Sequence, residues 1–77
     1  MDRIIIKCPI EGAEAELQLD KKSMPGESGL CFMITADGCF RGYISRQKNG
    51  IFQSIGTPYY TNQDLHVISK YLKEQNL

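Results

Sequence analysis

The sequence lacks a charge excess of either sign: nine lysine and arginine residues stand against nine aspartate and glutamate residues in 77. Zero net charge argues against a protein that coats nucleic acid or anionic membrane by charge alone. The sequence also lacks a Cys-x-x-Cys pair. Its three cysteines, Cys8, Cys31 and Cys39, leave one over under any pairing, which excludes a fully paired disulfide scaffold and suits a reducing compartment. Long hydrophobic runs are missing too. Ile4, Ile5 and Ile6 are interrupted soon afterwards by Pro9, Glu11 and Glu14, so the N-terminal stretch does not read as a signal peptide. No run approaches the ~20 apolar residues of a membrane span. We therefore expect a cytoplasmic protein with no membrane attachment. Internal repeats and low-complexity segments are absent.

Histidine occurs once, as His66, and this scarcity narrows the chemistry. A structural zinc site needs four converging ligands, usually from paired short spacings, and no such pairs occur. A Cys-His catalytic pair needs an orienting third group, and neither a nucleophile elbow nor a Gly-rich phosphate loop accompanies His66. Glu14 and Glu16 share one side of a strand, where Lys7 answers one of them as part of a solvated face. The expectation is a non-enzymatic protein with no catalytic residues, no metal and no cofactor.

What is present is enough for one small domain over residues 1–77, with 42% hydrophobic residues. A chain this short buries only about 60% of its unfolded surface, so a partner surface is a natural supplement. The first 20 residues predict a hairpin turning at Glu11-Gly12. In that register Ile4 opposes Leu19, Ile6 opposes Leu17 and Cys8 opposes Ala15, while Arg3 meets Asp20 and Lys7 meets Glu16 on the other face. A slip of one residue would invert both faces. Pro9 marks the first strand as an edge. Asp20 to Gly29 read as a loop around a type II turn at Pro25-Gly26, with Ser23, Glu27 and Ser28 making it polar.

Leu30 to Gly56 predict a three-strand meander with turns at Asp37-Gly38 and Asn49-Gly50, both strong hairpin signals. A three-residue loop, Ala36-Asp37-Gly38, would gather Leu30, Phe32, Ile34, Phe40 and Ile44 on one face, and a two-residue loop at Asn49-Gly50 would add Ile51 and Ile55. After Pro58, Thr61 caps a helix with Asp64 in the capping-box position and Tyr60 and Leu65 at staple spacing. Leu65, Ile68 and Leu72 form its apolar stripe. The fold class expected is α+β: a five-strand antiparallel sheet, hairpin plus meander, with one C-terminal helix packed on one face. The order of the two hairpins stays open.

The uncovered face of the meander would then carry Cys31, Met33, Cys39, Arg41, Tyr43 and Phe52, with Arg46 and Lys48 towards the hairpin tip. From Gly38 to Gln63 the charged residues are Arg41, Arg46 and Lys48, with no acid. Met, aromatics and Arg are enriched in protein interfaces, so the leading expectation is an interaction module that forms a homodimer or meets a protein partner through Met33, Arg41, Tyr43 and Phe52. The alternative is single-stranded nucleic acid, with Tyr43 and Phe52 as stacking platforms and Arg41, Arg46 and Lys48 tracking phosphates. A sheet meander followed by one helix resembles, in layout alone, the single-stranded-DNA-binding coactivator and whirly domains, and that resemblance implies the second reading.

Overall fold

The structure, a computed structural model, describes residues 3–27 and 29–75. Asp2 and Ser28, counted above among the charged and polar-loop residues, lie outside them. Strands β1 (Arg3–Ile10) and β2 (Ala13–Lys22) form the first hairpin. Its pairing is the one the two-faced pattern demands: Ile4 with Leu19, Ile6 with Leu17, Cys8 with Ala15, Arg3 with Asp20 and Lys7 with Glu16. Glu11 and Gly12 both take positive φ, 53° and 82°, as a two-residue turn matched to the strand twist requires. The non-ideal Glu11 is held there by its N–H, which donates to Asp64 Oδ1 at 3.4 Å.

Strands β3 (Cys31–Ala36), β4 (Cys39–Arg46) and β5 (Phe52–Ile55) complete one antiparallel sheet in the order β1-β2-β3-β4-β5. The hairpin and the meander join through β2 and β3, where Leu19 pairs with Ile34 and Lys22 with Cys31. β2 therefore runs past Asp20, where a loop was expected to begin. The Pro25-Gly26 turn forms as expected: Glu27 N–H donates to the Met24 carbonyl at 3.1 Å, with Gly26 at φ 83°. β1 is an edge, in keeping with Pro9.

Helix α1 (Asn62–Glu74) lies across one face of the sheet. The Thr61 hydroxyl accepts the Asp64 N–H at 3.1 Å, satisfying one of the orphan amides of the first turn. The Asp64 carboxylate reaches the Glu11 amide of the β1–β2 turn and so ties two elements together. Leu65, Ile68 and Leu72 are buried against Ile6, Leu17, Leu19, Phe32, Ile34, Ile44 and Phe52. Each such aliphatic contributes about 1.5–3 kcal/mol on burial. Ser69 lies between them: its hydroxyl donates to the Leu65 carbonyl at 2.6 Å and accepts the Phe52 N–H at 2.8 Å. The start of β5 is thereby bonded to the helix.

Two loop lengths are exchanged relative to expectation. Ala36 pairs with Cys39, leaving a two-residue turn of Asp37 and Gly38 at φ 52° and 76°. At the second turn Gln47 N–H donates to the Ile51 carbonyl and Gly50 N–H to the Gln47 carbonyl. That closes a three-residue loop, Lys48-Asn49-Gly50, with Gly50 at φ 86°.

The β3–β4 ladder then absorbs the change. Thr35 pairs with Phe40 but Met33 pairs with Tyr43, so Ile34 alone faces both Arg41 and Gly42. This is a β-bulge, and Gly42 at φ 89° supplies the left-handed residue it needs. A side chain there would also meet Tyr59, whose Cδ2 lies 2.7 Å from where a Cβ would stand. The bulge reverses the alternation along β4. Phe40 leaves the expected core and is 48% exposed, while Ile44 stays buried. The longer second loop does the same for β5. Phe52 turns inward, 2% exposed, with its ring centroid 5.9 Å from that of Phe32, and Ile55 turns outward beside Tyr43.

Candidate functional site

The face opposite the helix is the uncovered one, and its composition follows from the register. One row across the sheet runs Arg3, Asp20, Met33, Tyr43, Ile55, and the next runs Ile5, Gln18, Thr35, Phe40. The face is thus divided. Over β1 and β2 it is mainly charged: the Arg3 guanidinium donates to Asp20 at 2.7 Å and Lys7 lies 4.0 Å from Glu16, with the exposed Ile5 between the two pairs. Over β3, β4 and β5 it is apolar and aromatic around Met33, Phe40, Tyr43 and Ile55, with Thr35, Ser45 and Gln53 as its polar members.

The centre of the apolar part is a product of the bulge. Because Phe40 and Tyr43 lie three apart on either side of it, both point outward, with ring centroids 5.3 Å apart in an edge-on arrangement. Tyr59, from the segment after β5, packs edge-on against Phe40 at 5.9 Å and closes over Gly42. Aromatic pairs at such distances and angles attract beyond their area burial. Tyr59 is half exposed, like Phe40. At the far end of the same face Cys31 and Ser45 are buried. The Cys31 thiol donates to the Gly29 carbonyl at 3.4 Å, and Ser45 Oγ accepts from Gln47 Nε2 at 2.9 Å.

Of the six residues singled out from the sequence, only Met33 and Tyr43 meet on this face, as a directly paired couple. Phe52 is in the core beneath the helix. Arg46 pairs with Phe52 and so projects on the helix side. Lys48 is at the tip of the three-residue loop. Arg41, at the bulge, lines a cleft on the helix side with Leu17, Ala36, Tyr60 and Tyr59, the last of which reaches round the sheet edge from Phe40. There burial pushes the Tyr60 hydroxyl above its ordinary value, against the lowering effect of the Arg41 charge. Phe40, Ile55 and Tyr59, which the sequence did not single out, take the vacated places. The visible signal for Phe40 was the preference of Asp37-Gly38 for a two-residue turn.

The cysteines do not gather. Cys8 is buried under the helix, Cys31 on the open face, and Cys39 is exposed at the β3–β4 turn. Cys39 pairs with Ala36 and faces the helix side, not the side of Cys31 as expected. Burial, aided by the Asp64 carboxylate, raises the Cys8 thiol. Burial, aided by Glu27, raises Cys31. Both shifts disfavour the thiolate, the reactive form. His66 Nδ1 lies 2.9 Å from the Asn62 carbonyl, a contact within its own helix. Among the described residues no three of His, Cys, Asp and Glu are grouped so as to hold a metal ion. No helix among them is long and apolar enough to cross a membrane. The chain matches no protein-family model, no curated protein and no solved structure.

Proposed function

We propose that the protein is a non-enzymatic interaction module that self-associates through the open face of its sheet. The observation that carries this is the contiguous patch of Met33, Phe40, Tyr43, Ile55 and Tyr59, with two of its aromatics half exposed and none of the helix available to cover it. A small domain gains most from burying such a patch. The occupant in this reading is a second copy of the chain. A two-fold axis passing through the face at Tyr43 sets each apolar patch on its own image. Arg3, Lys7, Glu14 and Glu16 then fall at the rim, where charge is tolerated.

The nucleic-acid alternative needs basic residues and stacking platforms on one surface. The basic residues are elsewhere: Arg41 and Arg46 project on the helix side, Lys48 sits at a hairpin tip, and Phe52 is enclosed. Arg41 meets the patch only at its edge, where it shares a cleft with Tyr59, and Arg3 and Lys7 on the open face are answered by Asp20 and Glu16, which favours a protein surface.

Size-exclusion chromatography with light scattering tests the reading. A dimer at tens of micromolar, reduced to monomer by Phe40→Ser or Tyr43→Ala with the circular dichroism unchanged, is the expected result. A wild-type monomer at that concentration would contradict it.

A further inference from the structure

On the other side of the molecule, a groove of about 460 Å³ runs between α1 and the β4–β5 hairpin. Its walls are basic. His66, Lys70 and Lys73 lie at i, i+4 and i+7 and so form one stripe along the helix, next to the buried stripe that contains Ser69. Arg46 faces them from the end of β4, because its pairing with Phe52 turns it to the helix side. Asn49 and Ile51 line it on the hairpin side, with Phe52 and Ser69 between hairpin and helix. Among the described residues, no aspartate or glutamate lines the groove. Among the described residues, Arg46, Lys70 and Lys73 take part in no ion pair.

Lys73 has a local reason to be there, since a cation in the last turn complements the helix dipole. Arg46 comes from a strand: it borders a second cleft with Glu27 and Lys48, and on the helix side it adds a third positive charge to the groove, a grouping that a bound anion would stabilise. Lys70 and Arg46 together also offer a point charge and a planar fork, the two donor types that bind a phosphate dianion. The volume lies within the range of small-ligand pockets, about 300–1,000 Å³, and the apolar lining of Ile51 and Phe52 suits an organic body on the anion.

We infer that this groove is a binding site for a small phosphate monoester, held by Arg46, Lys70 and Lys73, with its organic body over Ile51. The site is separate from the aromatic face, so it stands or falls independently of self-association.

The test is titration of the isotopically labelled protein with adenosine monophosphate, followed by amide nitrogen–proton correlation spectra. Adenosine and inorganic phosphate serve as the uncharged and bodiless controls. The expected result is saturable shifts confined to the β4–β5 hairpin and the C-terminal half of α1. Adenosine gives none, and inorganic phosphate binds the same place more weakly. Arg46→Gln or Lys70→Gln weakens binding by about tenfold, the loss of one charge-assisted hydrogen bond, with the rest of the spectrum unchanged. Absence of saturable shifts at low-millimolar ligand, shifts centred elsewhere, equal response to adenosine, or unchanged affinity in both variants would overturn the proposal. Phe40→Ser leaves the titration unaltered, which separates this site from the sheet face.

Discussion

The two faces of the sheet are made from the same strands, yet they solve opposite problems. Under the helix, side chains from the five strands and α1 interlock. Leu19, Ile34, Ile68 and Leu72 are wholly enclosed, and the hydroxyl placed among them, on Ser69, has both its bonds made. On the open face the charged half is locally paired, while the aromatic half has only itself to pack against. A face that is finished shows every polar group satisfied and every apolar group covered. By that standard the helix side is complete and the Phe40–Tyr43–Tyr59 side is not. The difference separates what holds the fold together from what is left for a partner.

Substitutions can break this contrast in graded steps. Ile68→Ala strikes the finished face and should cost about 2–5 kcal/mol, the transfer loss plus a cavity, seen as a lower midpoint in urea denaturation. Ser69→Ala is smaller but more specific. It leaves the buried Phe52 N–H without an acceptor, for about 1–3 kcal/mol, and hydrogen exchange should accelerate at Phe52 before it does in β1 or β2.

Gly42→Ala acts at the junction of the two faces. Its positive φ becomes strained, at about 1–2 kcal/mol, and the new methyl displaces the Tyr59 ring. Thermal denaturation reads the first effect. A loss of association larger than that of the global stability reads the second.

The charged half of the open face gives the smallest effect. Hydrogen bonding from Arg3 holds the Asp20 carboxyl below its ordinary value of 3.8. A folded-state pKa below the unfolded one stabilises at higher pH, and that contribution is lost as pH falls through the folded value. Arg3→Ala should therefore lower stability slightly at neutral pH and leave it unchanged in acid, where Asp20 is protonated in both forms, so that urea midpoints followed across pH show an acid limb flattened by that same small amount.

The first hairpin and the helix were legible in the sequence because each satisfied two constraints at once. Only one register of β1 and β2 places Ile4, Ile6, Leu17 and Leu19 together and also pairs Arg3 with Asp20. Thr61, Asp64 and the stripe at Leu65, Ile68 and Leu72 likewise agree on one helix. The meander was legible as three strands, but its faces were not. Asp-Gly and Asn-Gly both prefer two-residue loops, and the chain follows that preference at Asp37-Gly38 but not at Asn49-Gly50. A two-residue turn at Asp37-Gly38 mixes polar and apolar residues on one face only if β4 is regular. The bulge at Arg41 and Gly42 removes that conflict, and its signal is a single glycine inside a strand, a known mark of a bulge. One unread bulge and one loop residue then carried Phe40 outward and Phe52 inward, which is why only Met33 and Tyr43 of the six chosen residues share the face.

The decisive measurement on the open face is an isotope-filtered nuclear Overhauser experiment on a mixture of labelled and unlabelled chains. Contacts between copies should run among the side chains of Met33, Phe40, Tyr43 and Ile55, and vanish in Phe40→Ser. Intermolecular contacts confined to β1 or to the helix side, or none at all at millimolar protein, would contradict self-association through this face.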